Sequence, residues 1–385
     1  MKKTMISSIS TNVNPAKSIE YNNMVYELKQ QDIDVVVLSL GEAYFDLPLF
    51  SFDDLPFPDI YHYSHSRGII ELRISIAKYF CEEYGVNFDP EREIVVTAGS
   101  KIAIHMALMA ILNPGDEVLI YEPYWVSYTE QVKLCNAIPV TIPIGLDLHE
   151  TEKYVTSKTK CIIVNTPNNP MGKIYSREEL QYLLDLVKRK GIMLFSDEAY
   201  SDFVPAGEKF VSLGSIDKSF ENSVIFNSIS KNYGISGWRL GYSITNQTLT
   251  DEILKINQHL ITCPATILEY YMAKHFFEII EITKPQIVQV VKFRKSIQDY
   301  MDKIGLSYLP GKAAWYFLVS IEPSTLTSDE FCWRLLKNNH ISIVPGSGYG
   351  KSCDNYFRLA VGSESYDRIT DALDVIKDLI FKTSE

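Results

Sequence analysis

The sequence predicts an α/β protein, with a mainly parallel sheet sandwiched by helices and a smaller α+β unit beside it. Three observations predict this. Short apolar runs rich in Val and Ile alternate with helical patterns between residues 94 and 230. Those runs are continuous rather than alternating, which marks strands covered on both faces, as parallel sheets are. Toward the C-terminus the pattern changes to one long helical stretch followed by short, mixed strand-like segments.

The elements follow in order. IVVT (94–97) reads as a strand and KIAIHMALMAIL (101–112) as an amphipathic helix, broken by NPGD. EVLIYEP (117–123) and KCIIVNTP (160–167) are the next strands. Ser176 and Glu179 form a capping box, in which each side chain satisfies an orphan amide at the helix start. The helix they open, ELQYLLDLVKRK, stops at Gly191, a residue suited to the left-handed position past a helix end. IMLFSDE (192–198) and SVIFNSIS (223–230) complete the strands of this part. A helix near 270–304, then AAWYFLVSI, ISIVPG and YFRLAVGSE, make up the second unit, with the boundary near 280–290.

A chain of 385 residues with 46 % apolar and 22 % charged residues is of ordinary globular composition and long enough for two domains. Its net charge of −11 argues against nucleic acid or an anionic membrane as the main partner, since both call for a basic face. A local cationic pocket for an anionic cofactor remains compatible with that charge. The cysteines (Cys81, Cys135, Cys161, Cys263, Cys332, Cys353) are dispersed with no CxxC pair, and no secretion signal is recognisable, which suggests a reducing cytoplasm. The histidines show no metal-binding spacing, and no apolar run reaches the roughly 18 residues of a membrane span.

In a parallel sheet, ligands sit beyond the carboxyl ends of the strands. The segments there are GSK, EPYW, TPNNPMG, SDEAY and SISK. Taken singly, each has an ordinary explanation. Gly99-Ser100-Lys101 could be a plain helix start, Asp197 half of a salt bridge, Trp125 core, Tyr200 a buried hydroxyl, and Arg239 the partner of any surface acid. Together they fit one cofactor. Pyridoxal phosphate needs an amine for its aldehyde, a carboxylate to keep its ring nitrogen protonated, amides and cations for its phosphate, and a flat ring to stack upon. Lys231, at the end of an apolar strand, supplies the amine. Keeping it neutral means lowering a pKa of about 10.4, at about 1.4 kcal/mol per unit, and burial and a nearby guanidinium both push that way. Arg239, eight residues on, would hold the phosphate.

These residues resemble the class I and II aminotransferases of the fold type I pyridoxal-phosphate enzymes, and most nearly the bacterial aspartate aminotransferase-like branch. The likeness runs from LSLGEAYFDLP (38–48) to YFRLAVGSE (356–364) and is strongest in YWVSY, NTPNNPMGKIYS, SDEAY and SISKNYGISGWRLGY. It implies a large cofactor-binding domain over 46–284 and a small domain from 1–45 and 285–385. It implies that Lys231, Asp197 and Tyr200 are catalytic: Lys231 joins the cofactor aldehyde covalently, Asp197 bonds the ring nitrogen, and Tyr200 with Asn169 bonds the phenolic oxygen. Trp125 would stack on the ring. Gly99, Ser100, Lys101, Ser228, Ser230 and Arg239 would hold the phosphate. Tyr63 would reach the phosphate of a neighbouring subunit, implying a homodimer with shared sites. Arg358 would grip the substrate α-carboxylate beside the Gly41 amide, with Trp125 and Asn169 also facing the substrate. The implied reactants are an L-amino acid and a 2-keto acid.

The chain also departs from the family pattern. GEAYFDLP has Ala43 and Tyr44 where proline and aspartate are common, and AAWY (313–316) stands where GAFY is frequent. The stretch LPLFSFDDLPFPDIYHY is rich in proline and aromatics and is expected to lack an amphipathic helix. Arg67 is a candidate for a distal substrate carboxylate; Arg73 reads as structural. Two other functions share the scaffold: a carbon–sulfur β-lyase, and a non-catalytic pyridoxal-phosphate-binding regulator. The regulator would bring a DNA-binding domain, and the short stretch before Leu38 has no basic helix pair.

Overall fold

The computed structural model describes residues 5–48 and 50–384. Its largest sheet comprises β1 (Ile94–Thr97), β2 (Glu117–Tyr121), β3 (Ile138–Ile142), β4 (Thr159–Asn165), β5 (Met193–Asp197), β6 (Ser223–Ser228) and β7 (Gly241–Ile244). The spatial order is β1-β7-β6-β5-β4-β2-β3. Neighbours from β6 to β3 pair in parallel, whereas β7 runs antiparallel to both β6 and β1.

Alternate side chains of each strand enter opposite layers, as the two-residue period of a strand requires. On one face Ile162, Val164 and Leu194 pack under the helices Ile70–Tyr84 and Arg177–Lys190. On the other, Cys161, Ile163 and Phe195 pack under Ser100–Ile111 and Gln247–Leu260. Both faces are dry, which accounts for the unbroken apolar runs. The capping box is present in both directions: Ser176 Oγ accepts from the Glu179 amide at 3.1 Å, and Glu179 Oε2 accepts from the Ser176 amide at 2.8 Å. Gly191 closes that helix with φ +65°.

Two strands of this sheet were not anticipated. In β3, Pro139 interrupts the apolar pattern; proline is tolerated there because β3 is an edge. In β7, only four residues carry the strand. It reverses direction because the chain between Ser228 and Gly241 turns back through the Lys231 loop without a crossover over the sheet.

A third apolar cluster draws on Tyr21, Val25 and Leu38 and on residues from Ile287 to Ile380. At its centre lies the antiparallel sheet of β8 (Tyr316–Ser320), β9 (Val344–Pro345) and β10 (Tyr356–Ala360), ordered β9-β10-β8. The helix Thr266–Ile304, about 58 Å long at 1.5 Å per residue, serves two cores. Its first half packs Met272 and Phe276 against the large sheet, and its second half gives Ile297 and Met301 to the third cluster. Among the described residues from Leu38 to Pro58 there is no helix. Aromatic contacts hold that segment instead: Phe45 stacks on Phe203 at 6.2 Å, Phe50 on His275 at 4.5 Å, and Phe52 meets Tyr271 at 4.6 Å.

Candidate active site

Beyond the carboxyl ends of β4, β5 and β6 lies a cavity of about 350 Å³, bounded on its far side by Leu40–Glu42, Tyr316 and Arg358. Lys231 enters it from the one-turn helix Ile229–Asn232, which directly follows β6 and is capped by Ser228 Oγ accepting from the Ser230 amide at 3.1 Å. The Lys231 Nζ donates to the Gly41 carbonyl at 2.7 Å. Burial pushes its pKa down to about 8; Glu42 opposes this, while Arg239, Arg358 and Lys101 act with it.

Asp197 ends β5 and is buried. Its Oδ2 accepts from the Tyr128 hydroxyl at 2.5 Å and its Oδ1 from the Ala199 amide at 3.2 Å. Burial raises its carboxyl to about 6, and those two hydrogen bonds pull the other way. The partners are neutral donors, so the salt-bridge explanation of this acid does not apply.

Beside Asp197, Asn169 is anchored by its amide donating to Asn165 Oδ1 at 2.7 Å. Its Nδ2 donates to the Tyr200 hydroxyl oxygen at 3.1 Å, and Arg358 Nη1 approaches its Oδ1 at 3.4 Å. Arg358, on β10, also donates through Nη2 to the Ser39 carbonyl. Its guanidinium lies 5.0 Å from the centre of the Tyr316 ring and 5.7 Å from that of Tyr349. The buried Arg358 Nε has no partner among the described residues.

At the opposite end, Gly99 precedes the helix Ser100–Ile111 with φ +90°. A methyl on Gly99 would stand 2.6 Å from Arg239 Nη2, and one on Gly241 would stand 2.2 Å from the Ser100 amide. Only glycine permits these approaches, which bring a helix N-terminus and a guanidinium together, the combination that attracts an anion. Arg239 also faces Ser230 Oγ at 3.5 Å. Lys101 Nζ lies 5.0 Å above the Trp125 ring, and both line the cavity.

Thus Gly41, Ser100, Lys101, Trp125, Asn169, Asp197, Tyr200, Ser228, Ser230, Lys231, Arg239 and Arg358 meet around one space, with Gly99 behind Arg239. Tyr63 does not: it is 86 % exposed on the outside of this chain. The expectation that Arg67 faces a substrate carboxylate is corrected, because Nη2 is paired with Asp251 at 2.7 Å and Nη1 donates to the Arg92 carbonyl at 2.8 Å. Arg73 is structural, donating to the carbonyls of Gly68 and Pro90. Sequence reasoning missed Tyr128, Asn165 and Tyr316. Tyr128 stood within a quoted motif, but nothing local distinguishes its hydroxyl from that of a core tyrosine.

A family model described as aminotransferase class I and II matches residues 34–376. The chain belongs to the class I and II aminotransferases. The aspartate aminotransferase of Thermotoga maritima is 32 % identical to it, with 98 % of this chain and 99 % of that one covered. The aromatic-amino-acid aminotransferase 2 of Thermococcus litoralis is 30 % identical, covering 92 % and 94 %. Among solved structures, the Thermus thermophilus aspartate aminotransferase with maleate superposes with a TM-score of 0.87 at 26 % identity, covering 98 % and 100 %. The mainly parallel sheet flanked by helices is thus the aminotransferase architecture. As an aminotransferase of a pyridoxal-phosphate-dependent family, the chain transfers an amino group between an amino acid and a 2-keto acid. The β-lyase and regulator readings are not favoured. No helix among the described residues is long and apolar enough to cross a membrane.

Proposed function

We propose that this aminotransferase seats pyridoxal 5'-phosphate in the cavity around Lys231 and uses that lysine for the transfer. The donor set fits the group. Among the described residues the buried Asp197 carboxylate is met by neutral donors, which suits a cation such as a protonated ring nitrogen, and the lowered basicity of Lys231 suits an aldehyde. The cleft between the Ser100 helix start and Arg239 suits a phosphate. The single observation that carries the reading is that Lys231 and Asp197 open onto the same cavity from adjacent strand ends.

Pyridoxal phosphate, when bound, supplies the aldehyde that takes the amino group and a protonated ring that withdraws electrons from the substrate Cα. The chain provides the rest. Asp197 holds the proton on the ring nitrogen, supported by Tyr128. Tyr200 and Asn169 would donate to the phenolic oxygen, and Trp125 would supply a flat face for the ring. Ser228, Ser230, Arg239 and the Gly99-Ser100-Lys101 turn hold the phosphate. Arg358 grips the substrate α-carboxylate in its planar fork, near the Gly41 amide, and so aims the Cα–H bond at Lys231. Lys231 Nζ then takes and returns the Cα proton, work typically worth about 10²–10⁴-fold.

The exposure of Tyr63 suits a second copy of the chain, and we infer a homodimer in which Tyr63 reaches the partner's phosphate. We place the enzyme in the cytoplasm on its dispersed cysteines. We divide the chain into 46–284 and 1–45 with 285–385: two apolar clusters lie within the first, and the third, centred on the second, also takes in Ala199, Tyr200 and Phe203. Because relatives are named for aspartate and for aromatic amino acids, both side-chain classes are the donors to try first.

The purified holoenzyme should be yellow, and Lys231→Ala should abolish its visible band and transfer activity. A panel of amino donors and 2-keto acids would define the reaction. Release of pyruvate and ammonia without an acceptor, in place of transfer, would overturn it.

A further inference from the structure

We propose that Tyr316 is a positioning residue that sets two groups at once, donating a hydrogen bond to Tyr200 and bracing Arg358 with its ring. This rests on the proposed seating of pyridoxal phosphate. Tyr316 is fully buried on β8, and its hydroxyl lies 3.1 Å from that of Tyr200. Either oxygen could be the donor in that pair, and counting protons decides which. A tyrosine hydroxyl has one proton and two lone pairs. The Tyr200 oxygen already accepts from Asn169 Nδ2 at 3.1 Å. If Tyr200 gives its single proton to the phenolic oxygen of the cofactor, the Tyr316 hydroxyl must be the donor to Tyr200. The result is a directed chain, Tyr316 to Tyr200 to the phenolic oxygen, in which each bond polarises the next.

The same ring lies beneath the Arg358 guanidinium at 5.0 Å, and β8 pairs with β10 so that Leu318 stands opposite Arg358. Tyr316, two residues from Leu318, therefore shares its face of the sheet. The guanidinium makes few close hydrogen bonds of its own, and its Nε has none among the described residues. The aromatic face supplies the missing restraint. The Tyr316 hydroxyl is also 3.2 Å from where a methyl on Gly41 would stand, so it abuts the backbone that accepts from Lys231.

Two variants separate the hydroxyl from the ring. The readouts are the pH midpoint of the visible absorption change of the holoenzyme and the dissociation constant of an α-methyl analogue of its best donor. Tyr316→Phe keeps the ring and removes the donor. Weakening the donation to the phenolic oxygen leaves the bound cofactor more basic, so the midpoint rises by about 0.5–1 unit, with analogue affinity unchanged. Tyr316→Met removes both at similar volume, so the midpoint rises and the dissociation constant increases about tenfold. A Phe variant with an unmoved midpoint overturns the donor chain. Equal loss of analogue affinity in Phe and Met, or no loss in Met, overturns the brace. A packing role alone leaves the midpoint where it is, and the isosteric Phe variant keeps the donor claim testable should Met fail to fold. A wild-type protein that stays colourless after incubation with pyridoxal phosphate would overturn the cofactor seating itself, and this inference with it.

Discussion

The Tyr128 hydroxyl donates to Oδ2 of Asp197 across 2.5 Å, joining the first residue of the helix Tyr128–Leu134 to the end of β5. With the Ala199 amide, this bond draws the buried carboxyl of the cofactor-free chain toward its ionised form, against a burial that raises it to about 6. Tyr128→Phe should let that pKa climb further. A hydrogen bond to a charged group is worth about 1.5–3 kcal/mol, so kcat should fall about tenfold to a hundredfold. The acid limb of its pH profile should move upward; a profile superposable on wild type would refute the role.

Asp197 also predicts how the stability of the cofactor-free protein varies with pH. Its folded-state pKa, about 6, lies above the ordinary aspartate value of 3.8, so the folded state binds more protons than the unfolded one. Stability contributed by this group therefore falls as pH rises from about 3.8 through about 6, and the penalty is complete above that. Asp197→Asn should recover up to about 3 kcal/mol at pH 8 and nothing at pH 3. Denaturant unfolding of the cofactor-free variant at both pH values checks this.

Gly99 makes a separate claim about the phosphate end. With φ +90° and Arg239 Nη2 at 2.6 Å from an added methyl, Gly99→Ala should cost about 1–2 kcal/mol of stability. It should also weaken cofactor binding more than amino-donor binding, because Arg239 must move. Fluorescence titration with pyridoxal phosphate would show it; unchanged affinity would mean that Arg239 does not hold the phosphate.

Arg67 should matter to folding and not to substrate choice. Arg67→Ala removes a bond to Asp251 and another to the Arg92 carbonyl, for a loss of about 1–3 kcal/mol. The ratio of kcat/KM for donors with and without a distal carboxylate should stay as in wild type. A selective loss for acidic donors would restore Arg67 to the site.

Much of this molecule could be read locally. β1 follows its apolar tetrapeptide residue for residue, and the Ser176–Glu179 box and Gly191 mark both ends of one helix, because those signals are spent within a few residues of where they are written. The residues gathered at the strand ends were readable for a related reason: a parallel sheet delivers every strand's C-terminal turn to one edge. β3 and β7 escaped notice, one behind Pro139 and the other behind a four-residue run whose Gly241 is required by the nearby Ser100 amide.

The sequence alone determined that a mainly parallel sheet forms and that Lys231 and Asp197 stand at the ends of two of its strands, since continuous apolar runs mark strands covered on both faces. Only the tertiary structure decided which neutral groups tune them. Tyr128 and Asp197 are 69 positions apart, Tyr200 and Tyr316 116, and Asn169 and Arg358 189. It likewise gave Arg67 to Asp251, 184 positions away, and took it from the substrate. Such pairs depend on strand order and register, and neither partner's local sequence carries any trace of the other.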